Sequence, residues 1–337
     1  MTAAAPAATA NPDVVEQIGQ TPLIELTSFS TKNVKLYAKL EWYNPFGSVK
    51  DRAAYWMIKH AEKIGILKKD KSIIIEPSSG NTGIALAGIS SALGYKVEIV
   101  IPEKVSEETK NILRGLGATV HETSDDLCPR VGAGTDQSIA LARAISKPRP
   151  DVYYMPNQYD NDANFLAHYE STGPEIWEQT DGMVTHFVTG CGTGGTITGT
   201  GTFLKEKNMD IRIIAIQAQK NHLLQGLRNF EESAVPELFK RRLSVVDEWM
   251  TATNKDSFEA VRQLVEKQTL LVGPSSGSVM SSMLKMAHNL DHGILVGIFA
   301  DDGRKFRSLY LREKILTEQE YDEALKNAKY LPRLAYL

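Results

Sequence analysis

The chain has 337 residues, of which 42% are hydrophobic, with a formal net charge of -3 and an isoelectric point near 6.2. At about 150 residues per domain, this length predicts two domains with sizeable cores. The slightly acidic charge leaves no broad basic field for a phosphate backbone, which argues against a nucleic-acid partner. The longest apolar runs, such as Ile294 to Ala300, are too short to span a bilayer, so no membrane association is expected.

The cysteines and the first residues indicate the cellular compartment. Cys128 and Cys191 are too few for a disulfide framework and lack the spacing of metal ligands. They favour a reducing, cytoplasmic location and no metal site. Residues 1–11 are rich in Ala, Thr and Pro and have neither a basic nor an apolar signal region, which predicts a disordered leader.

Hydrophobic patterning predicts strands and helices that alternate along the chain. The predicted strands are Lys35 to Leu40, Ile73 to Ile75, Val97 to Ile101, Thr119 to Val120, Val152 to Met155, Phe187 to Val188, Ile211 to Ile216 and Ile294 to Ala300. The predicted helices start near Lys50, Asn81, Ser106, Ile139, Thr196, Asp256 and Val279. This alternation is typical of mostly parallel sheets covered by helices on both faces, and a second sheet beginning near Phe187 predicts two doubly wound α/β units.

The segment from Asn44 to Ala53 presents a lysine where a cation is disfavoured. Ser48, with Asp51 three residues later, has the pattern of a capping box at the start of a helix. Lys50 would then lie at the positive end of the helix macrodipole, which favours an uncharged amine suited to Schiff-base chemistry. The alternative is an ordinary solvated lysine on the exposed side of a helix.

A glycine-rich loop from Gly190 to Thr196 follows one predicted strand and opens a helix. Its backbone N–H groups form a cradle suited to a phosphate. The loop also matches G-x-G-x-x-G, the pattern of a dinucleotide-binding dehydrogenase. That class requires an acidic side chain at the end of the next strand, where this chain has Gln217 and Ala218. A phosphate cradle is therefore favoured. The remaining alternative is a glycine-rich turn that binds no ligand.

Four motifs follow one another along the chain: Asn44 to Arg52 (NPFGSVKDR), Ser78 to Gly83 (SSGNTG), Gly192 to Thr196 (GTGGT) and Gly273 to Gly277 (GPSSG). Together they resemble the cysteine synthase and cystathionine β-synthase family of pyridoxal-phosphate enzymes, over nearly the whole chain from Ile18 to Leu311. The resemblance implies an α/β fold of fold-type II, with two doubly wound three-layer α/β/α domains and the cofactor in the cleft between them.

The same resemblance implies the domain boundaries and the assembly. The larger, cofactor-phosphate-binding domain would comprise residues 12–44 and 156–316, and residues 45–155 would form a smaller, mobile, substrate-binding domain. Residues 317–337 would be a C-terminal tail. A homodimer is expected.

The resemblance also gives roles to the residues of the cofactor site. Lys50 would hold pyridoxal 5'-phosphate as an internal aldimine and then remove the α-proton of the substrate. Asn81 would lie beside the ring hydroxyl, and Ser275, with Ser276 as the adjacent candidate, at the pyridine nitrogen. A hydroxyl at that nitrogen leaves a weaker electron sink than a carboxylate and favours β-elimination over transamination. The cofactor phosphate would be bound by Gly192, Thr193, Gly194, Gly195 and Thr196.

Ser78, Ser79 and Thr82 would bind the substrate carboxylate at a helix N-terminus, and Gln158 would add a further contact. The alternative role of the serines is helix capping. The family usually has threonine at the position of Ser78, so one methyl group is lost while the hydroxyl is kept.

The implied reaction is a β-replacement. An activated L-serine loses its leaving group, an aminoacrylate forms, and a sulfur nucleophile adds to give L-cysteine or a derivative. Cystathionine β-synthase activity, with serine and homocysteine, is the alternative within the family. A cofactor-less relative is the alternative of another class, against which the retained Lys50 argues. The sulfur donor stays open between sulfide, thiosulfate and a protein thiocarboxylate.

The segment from Gly226 to Leu238, with Ala300 to Phe306, resembles the O-phosphoserine-dependent cysteine synthases more than the acetylserine-dependent ones. Arg228 falls on their phosphate-recognising arginine. A guanidinium can grip a phosphate leaving group through two charge-assisted hydrogen bonds, whereas an acetyl ester has no charge to match. The alternative is that Arg228 forms a surface ion pair with Glu231 or Glu232.

Overall fold

The computed structural model describes residues 12–124, 137–332 and 334–335. The predicted leader at residues 1–11 and Cys128 lie outside the described residues. Within the described ranges no helix combines the length and the apolar character that a membrane span needs.

The strands of the described chain form two sheets and are numbered in chain order. They are β1 (Leu23–Glu25), β2 (Val34–Leu40), β3 (Ile73–Pro77), β4 (Lys96–Pro102), β5 (Thr119–Thr123), β6 (Tyr153–Tyr154), β7 (His186–Gly190), β8 (Arg212–Ala218), β9 (Glu248–Ala252) and β10 (Gly293–Phe299).

The α-helices of the described chain cover these sheets. They are α1 (Lys50–Lys63), α2 (Asn81–Leu93), α3 (Glu107–Gly115), α4 (Gln137–Ser146), α5 (Asp162–Ala167), α6 (Gly173–Gln179), α7 (Gly195–Lys207), α8 (Glu237–Lys240), α9 (Asn254–Gln268), α10 (Pro274–His288), α11 (Arg307–Arg312) and α12 (Glu318–Asn327). A single π-helical turn, His168–Thr172, joins α5 to α6.

One sheet has six strands in the order β1-β2-β10-β7-β8-β9, and the other has four in the order β5-β4-β3-β6. Within the described residues every strand pair is parallel except β1 with β2. The mostly parallel α/β fold with two sheets is therefore confirmed. The six-stranded sheet draws on residues 23–40 and 186–299, and the four-stranded sheet on residues 73–154. The exact domain boundaries and the mobility of the smaller domain stay predictions.

Side chains that alternate along the strands build a core on each face of each sheet. In β8, Ile214 and Ile216 pack in one cluster with residues of α9 and α10, whereas Ile213 and Ala215 face α7 on the other side. In β4 of the smaller sheet, Val97, Ile99 and Ile101 face α1, α2 and α3, whereas Val100 packs against α4. Strands buried on both faces read as continuous apolar runs, which is why the sequence revealed them.

The eight predicted strands are all present. The sequence did not indicate β1 or β9. β1 has only three residues, and β9 is an edge strand of which four of the five residues are at least partly exposed, so neither carries a strong apolar pattern. The loops after β2, β3, β7 and β10 lie at the carboxyl ends of parallel strands, where ligands bind in folds of this type.

Candidate active site

The first feature of the site is the lysine at the start of α1. Lys50 is the first residue of the helix, as predicted, but the N-cap is Val49, without a side-chain cap. The predicted capping box is wrong because the Asp51 carboxylate accepts a hydrogen bond from the Phe46 amide, at 2.6 Å. The Ser48 hydroxyl accepts instead from the Lys50 amide, at 3.2 Å. The Val49 amide donates to the Ala300 carbonyl, 2.9 Å away, and so ties the lysine turn to the end of β10.

Lys50 is partly buried and has an unusual pKa. Burial lowers the pKa of its amine, and the charge of Arg228 lowers it further, to about 8. The predicted bias toward a neutral amine is thus supported, although its main cause is burial and not the helix macrodipole. The alternative of an ordinary solvated lysine is wrong.

The glycine-rich loop between β7 and α7 has a backbone that only glycine permits. Gly194 has a φ of 87°, in the left-handed region. A Cβ on Gly195 would lie 2.1 Å from Asn164 Oδ1, and one on Gly192 would lie 2.7 Å from the Gly226 carbonyl oxygen. The glycines therefore let the loop pack closely against Asn164 and Gly226 at the start of α7, and a helix N-terminus favours a phosphate.

These elements meet in one pocket at the carboxyl ends of the strands. Its lining includes most of the predicted cofactor residues, namely Lys50, Asn81, Gly192, Thr193, Gly194, Thr196 and Ser275. Gly195, the first residue of α7, does not line the pocket. Ser275 faces the pocket, whereas the buried Ser276 hydroxyl donates to the Asp301 carbonyl at 3.4 Å. The pocket thus favours Ser275 over Ser276.

The predicted substrate residues lie beside this pocket and do not line it. The Thr82 hydroxyl donates to Gln158 Oε1 at 2.7 Å, so these two predicted residues are in direct contact. The Ser78 hydroxyl accepts from the Gly83 amide at 3.0 Å, which is the capping role considered as its alternative. Ser79 follows β3 and is partly exposed. Their role in substrate binding stays a prediction.

Arg228 does not form the surface ion pair considered as its alternative. Glu231 pairs with Lys220 at 2.6 Å, and Glu232 accepts from the Asn221 amide at 3.0 Å. The Arg228 guanidinium stacks on the Tyr159 ring, 4.6 Å from its centroid. Within the part of the chain that the structure describes, it has no carboxylate partner.

Two residues that the sequence did not single out support the site. Glu76, at the end of the buried run in β3, accepts from the backbone amides of Asn157 and Gln158, at 2.9 and 3.2 Å. Burial raises the pKa of this carboxyl to about 7. An acidic residue inside an apolar strand could have identified Glu76, because a buried carboxylate needs hydrogen-bond donors.

The second supporting residue is His168, which lies behind the phosphate cradle. One of its ring nitrogens is 3.2 Å from the Thr196 hydroxyl and the other is 2.9 Å from that of Thr172. Burial, with the charges of Arg52 and Lys50, holds the pKa of His168 well below its usual value. The imidazole is therefore neutral and can fix the hydroxyl of a cradle residue. A lone histidine within a helical stretch gave no sequence signal.

The two-sheet α/β fold, in which the start of α1 and the glycine-rich loop before α7 meet at one pocket, is that of fold-type II pyridoxal-phosphate enzymes. The chain belongs to the family described as pyridoxal-phosphate dependent enzymes, whose model matches residues 14–301. Its identity to cysteine synthases over most of the chain makes it an enzyme of the cysteine-synthase type. The dehydrogenase interpretation is wrong, and the strand that would need an acidic residue indeed ends at Gln217 and Ala218.

The chain is 40% identical over 302 residues to the cysteine synthase of Aquifex aeolicus, covering 87% of this chain and 90% of that protein. It is 38% identical over 317 residues to the cystathionine beta-synthase of Apis mellifera, covering 90% of this chain but 62% of that protein. Its structure is similar to that of a hydrogen sulfide-producing enzyme from Fusobacterium nucleatum. The TM-score is 0.79 at 32% identity, covering 87% of this chain and 98% of that one.

The residues of the pocket fit pyridoxal 5'-phosphate. Gly192 and Gly194 line the pocket without side chains, which permits close approach of a phosphate to the backbone amides. Asn164, beside this loop, donates to the Thr193 hydroxyl at 3.0 Å. Its buried Oδ1 has no hydrogen-bond partner among the described residues. The Thr193 oxygen accepts from Asn164 and from the Gly195 amide, so its own O–H is left to donate to a phosphate, and the Lys50 amine lies in the same pocket.

Proposed function

We propose that this enzyme catalyses β-replacement on an activated L-serine, with O-phospho-L-serine as the preferred donor and a sulfur nucleophile as the acceptor, giving L-cysteine or a derivative. The similarity to cysteine synthases supports the reaction class. The single observation that carries the choice of donor is the Arg228 guanidinium, which lies near Lys50 without a carboxylate partner in the described chain.

The cofactor, when bound, supplies an electron sink for the carbanion that remains after the α-proton leaves. The Lys50 amine would hold the cofactor and later accept that proton at Nζ. A pKa of about 8 leaves a useful neutral fraction at neutral pH, so the amine can act as a base. The loop from Gly192 to Thr196 would bind the cofactor phosphate, and Ser275 would face the ring nitrogen.

The amino-acid substrate would be held by its carboxylate at the start of α2. Ser78, Ser79, Thr82 and Gln158 surround this helix N-terminus, whose amides favour an anion. The contact between Thr82 and Gln158 would open to admit the carboxylate, because both groups can donate hydrogen bonds. Glu76 would hold the Gln158 loop in place from its buried side.

Arg228 would recognise the phosphate of the donor. Tyr159 supports one face of the guanidinium and restricts its orientation, which leaves the N–H edge free for a ligand. A phosphate ester carries close to two negative charges, and two parallel charge-assisted hydrogen bonds can hold it. An acetyl ester offers no such charge, so Arg228 would add little to its binding.

The test measures kcat/KM for O-phosphoserine and O-acetylserine in the wild type, Arg228→Ala and the control Arg312→Ala. Arg312, at the end of α11, pairs with Glu313 on the surface. Loss of a charge-assisted contact of ~1.5–3 kcal/mol corresponds to an approximately ten- to hundred-fold loss. Arg228→Ala should show that loss for O-phosphoserine alone, and the control should show none. Equal losses on both donors, or a wild type that prefers O-acetylserine, would contradict the proposed donor.

A second candidate function is the release of sulfide from L-cysteine by β-elimination. The similarity to a hydrogen sulfide-producing enzyme favours it. The pocket would serve both reactions, since each expels a β-substituent after α-proton removal. Assaying sulfide release from L-cysteine beside cysteine formation from O-phosphoserine separates the two, because Arg228→Ala should leave a thiol leaving group unaffected.

We further propose that the enzyme is a homodimer, as expected from the family resemblance. Light scattering coupled to size-exclusion chromatography measures this directly. A mass near twice 37.2 kDa would support the dimer, whereas the mass of a single chain would contradict it.

A further inference from the structure

The side chain of Asn81, the first residue of α2, is held by two charged residues that follow β10. Its Nδ2 donates to Asp301 Oδ2 at 2.7 Å, and its Oδ1 accepts from Lys305 Nζ. Asn81 belongs to the four-stranded sheet and its helices, whereas Asp301 and Lys305 follow a strand of the six-stranded sheet. The contact therefore crosses from one sheet unit to the other.

These two partners leave the Asn81 amide a single orientation. A lysine ammonium only donates hydrogen bonds and an ionised carboxylate only accepts them, so exchanging the amide oxygen and nitrogen would break both contacts. One of the two Nδ2 hydrogens is used by Asp301. The other stays available, and Asn81 lines the same pocket as Lys50.

The two charged residues also support each other. Lys305 Nζ lies 3.7 Å from Asp301 Oδ2, with 11% and 3% of the two side chains exposed. Burial raises the pKa of Asp301, while Lys305 and Asn81 counteract that rise by favouring its charged form. The second carboxylate oxygen packs against Gly273, where a Cβ would approach to 2.0 Å. This oxygen, Oδ1, has no hydrogen-bond partner among the described residues, so Asn81, Lys305 and close packing hold the Asp301 carboxylate.

We propose that Lys305 and Asp301 are positioning residues that fix the Asn81 amide, so that its remaining N–H is presented to the ring hydroxyl of bound pyridoxal 5'-phosphate. This positioning role depends on the binding of pyridoxal 5'-phosphate proposed above and not on the choice of donor substrate. Neither residue needs to touch the cofactor, because both act through Asn81. An amide held in one orientation binds without the entropy loss that a freely rotating amide would incur.

The test measures the dissociation constant of pyridoxal 5'-phosphate from the apoenzyme and the visible absorption band of the holoenzyme. The variants are Lys305→Met, the conservative Lys305→Arg, Asn81→Ala and the double variant Lys305→Met/Asn81→Ala. Lys285→Met is the matched control, because Lys285 pairs with Asp256 on the surface. Thermal unfolding of each apoenzyme reports on folding independently of the cofactor.

Lys305→Met should weaken cofactor binding by about tenfold and shift the absorption band, and Lys305→Arg should recover most of both effects. In the Asn81→Ala background the same substitution should change the dissociation constant by less than about twofold, because its target is missing. An equal effect in both backgrounds, or no effect in the wild-type background, would overturn the proposal. If Lys305→Met does not fold, Lys305→Leu, which likewise cannot donate a hydrogen bond, serves in the same double-mutant cycle.

Failure of this proposal is distinguishable from failure of the cofactor assignment. A wild type that stays colourless and binds no pyridoxal 5'-phosphate would reject the assignment itself. A wild type that binds the cofactor while Lys305→Met binds it equally well would reject only the positioning role.

Discussion

The Arg52 guanidinium and the Glu41 carboxylate form a buried ion pair, with 2.8 Å between Nε and Oε2 and at most 1% of either side chain exposed. Arg52 lies two residues after Lys50 in α1, and Glu41 directly follows β2. A second carboxylate, that of Glu175 in α6, also accepts from the guanidinium, through Oε1 at 2.6 Å and Oε2 at 2.7 Å. The helix that presents Lys50 is thus anchored to elements of the six-stranded sheet unit.

Replacing Arg52 with Met should destabilise the protein strongly. The substitution leaves the Glu41 carboxylate buried without its cation, and breaking a buried pair in this way costs about 3–5 kcal/mol. Urea unfolding of the apoenzyme measures the change. The control is Lys240→Ala, which removes an exposed pair with Glu237 and should cost no more than ~1 kcal/mol. Similar unfolding midpoints for the two variants would contradict the prediction.

The capture of pyridoxal 5'-phosphate by the apoenzyme should accelerate as the pH rises through about 8. Only the neutral amine attacks an aldehyde, and burial together with Arg228 lowers the pKa of Lys50 to about 8. The rate of reconstitution, followed by visible absorbance from pH 6 to pH 10, gives the midpoint.

Arg228→Ala should move that midpoint to higher pH, because removing a nearby positive charge stabilises the ammonium form. Arg312→Ala, which removes an exposed pair with Glu313, should leave the midpoint unchanged. A midpoint that stays the same in Arg228→Ala would mean that the charge of Arg228 does not act on Lys50. Lys50→Ala should abolish both reconstitution and turnover.

Replacing Gly195 with Ala should weaken cofactor binding severely. The new methyl group would lie 2.1 Å from Asn164 Oδ1 and force the cradle or Asn164 to move. The matched control is Gly115→Ala in α3, where no atom lies within 4 Å of the added Cβ. That control should retain cofactor binding and gain up to ~1 kcal/mol of stability from better helix propensity. Equal cofactor affinities for the two variants, measured by titration of the apoenzymes, would contradict this prediction.

Glu76→Gln should raise KM for the amino-acid substrate with a smaller effect on kcat. The Glu76 carboxylate accepts from the backbone amides of Asn157 and Gln158. In the glutamine variant the side-chain NH2 group would face one of these N–H donors, and two donors cannot form a hydrogen bond. The Gln158 loop would then be misplaced, at a cost of ~1–3 kcal/mol for the donor left unsatisfied. Steady-state kinetics separates the two parameters. A fall in kcat at unchanged KM would show that Glu76 acts on the chemical step instead.

The sequence predicted the parts of the site whose residues are contiguous. The lysine turn and the cradle from Gly192 to Thr196 are local motifs, so their positions at strand ends followed from strand and helix patterning alone. The buried strands were equally visible, because strands such as β4 and β8 are apolar on both faces. The predicted pKa shift of Lys50 had the correct direction, but its main cause required a folded structure in which burial can be measured.

The sequence did not predict contacts between distant residues. Asn81 is held by Lys305, 224 positions later, and the Gln158 loop is held by Glu76, 82 positions earlier. No local pattern links such pairs. The predicted capping box is wrong for a local reason, since the Asp51 carboxylate accepts from the Phe46 amide and from the Ser48 hydroxyl and not from the Ser48 amide. Competition within the same turn outweighed the capping pattern.

Cys191 lies inside the glycine loop, fully enclosed, and burial raises the pKa of its thiol to about 12. At physiological pH it carries its proton and is a poor nucleophile. The enzyme is proposed to bind thiol-containing metabolites, and a protonated, enclosed Cys191 does not undergo thiol exchange with them. The rate of alkylation at Cys191 would therefore measure how often the glycine loop opens and exposes this thiol to a reagent.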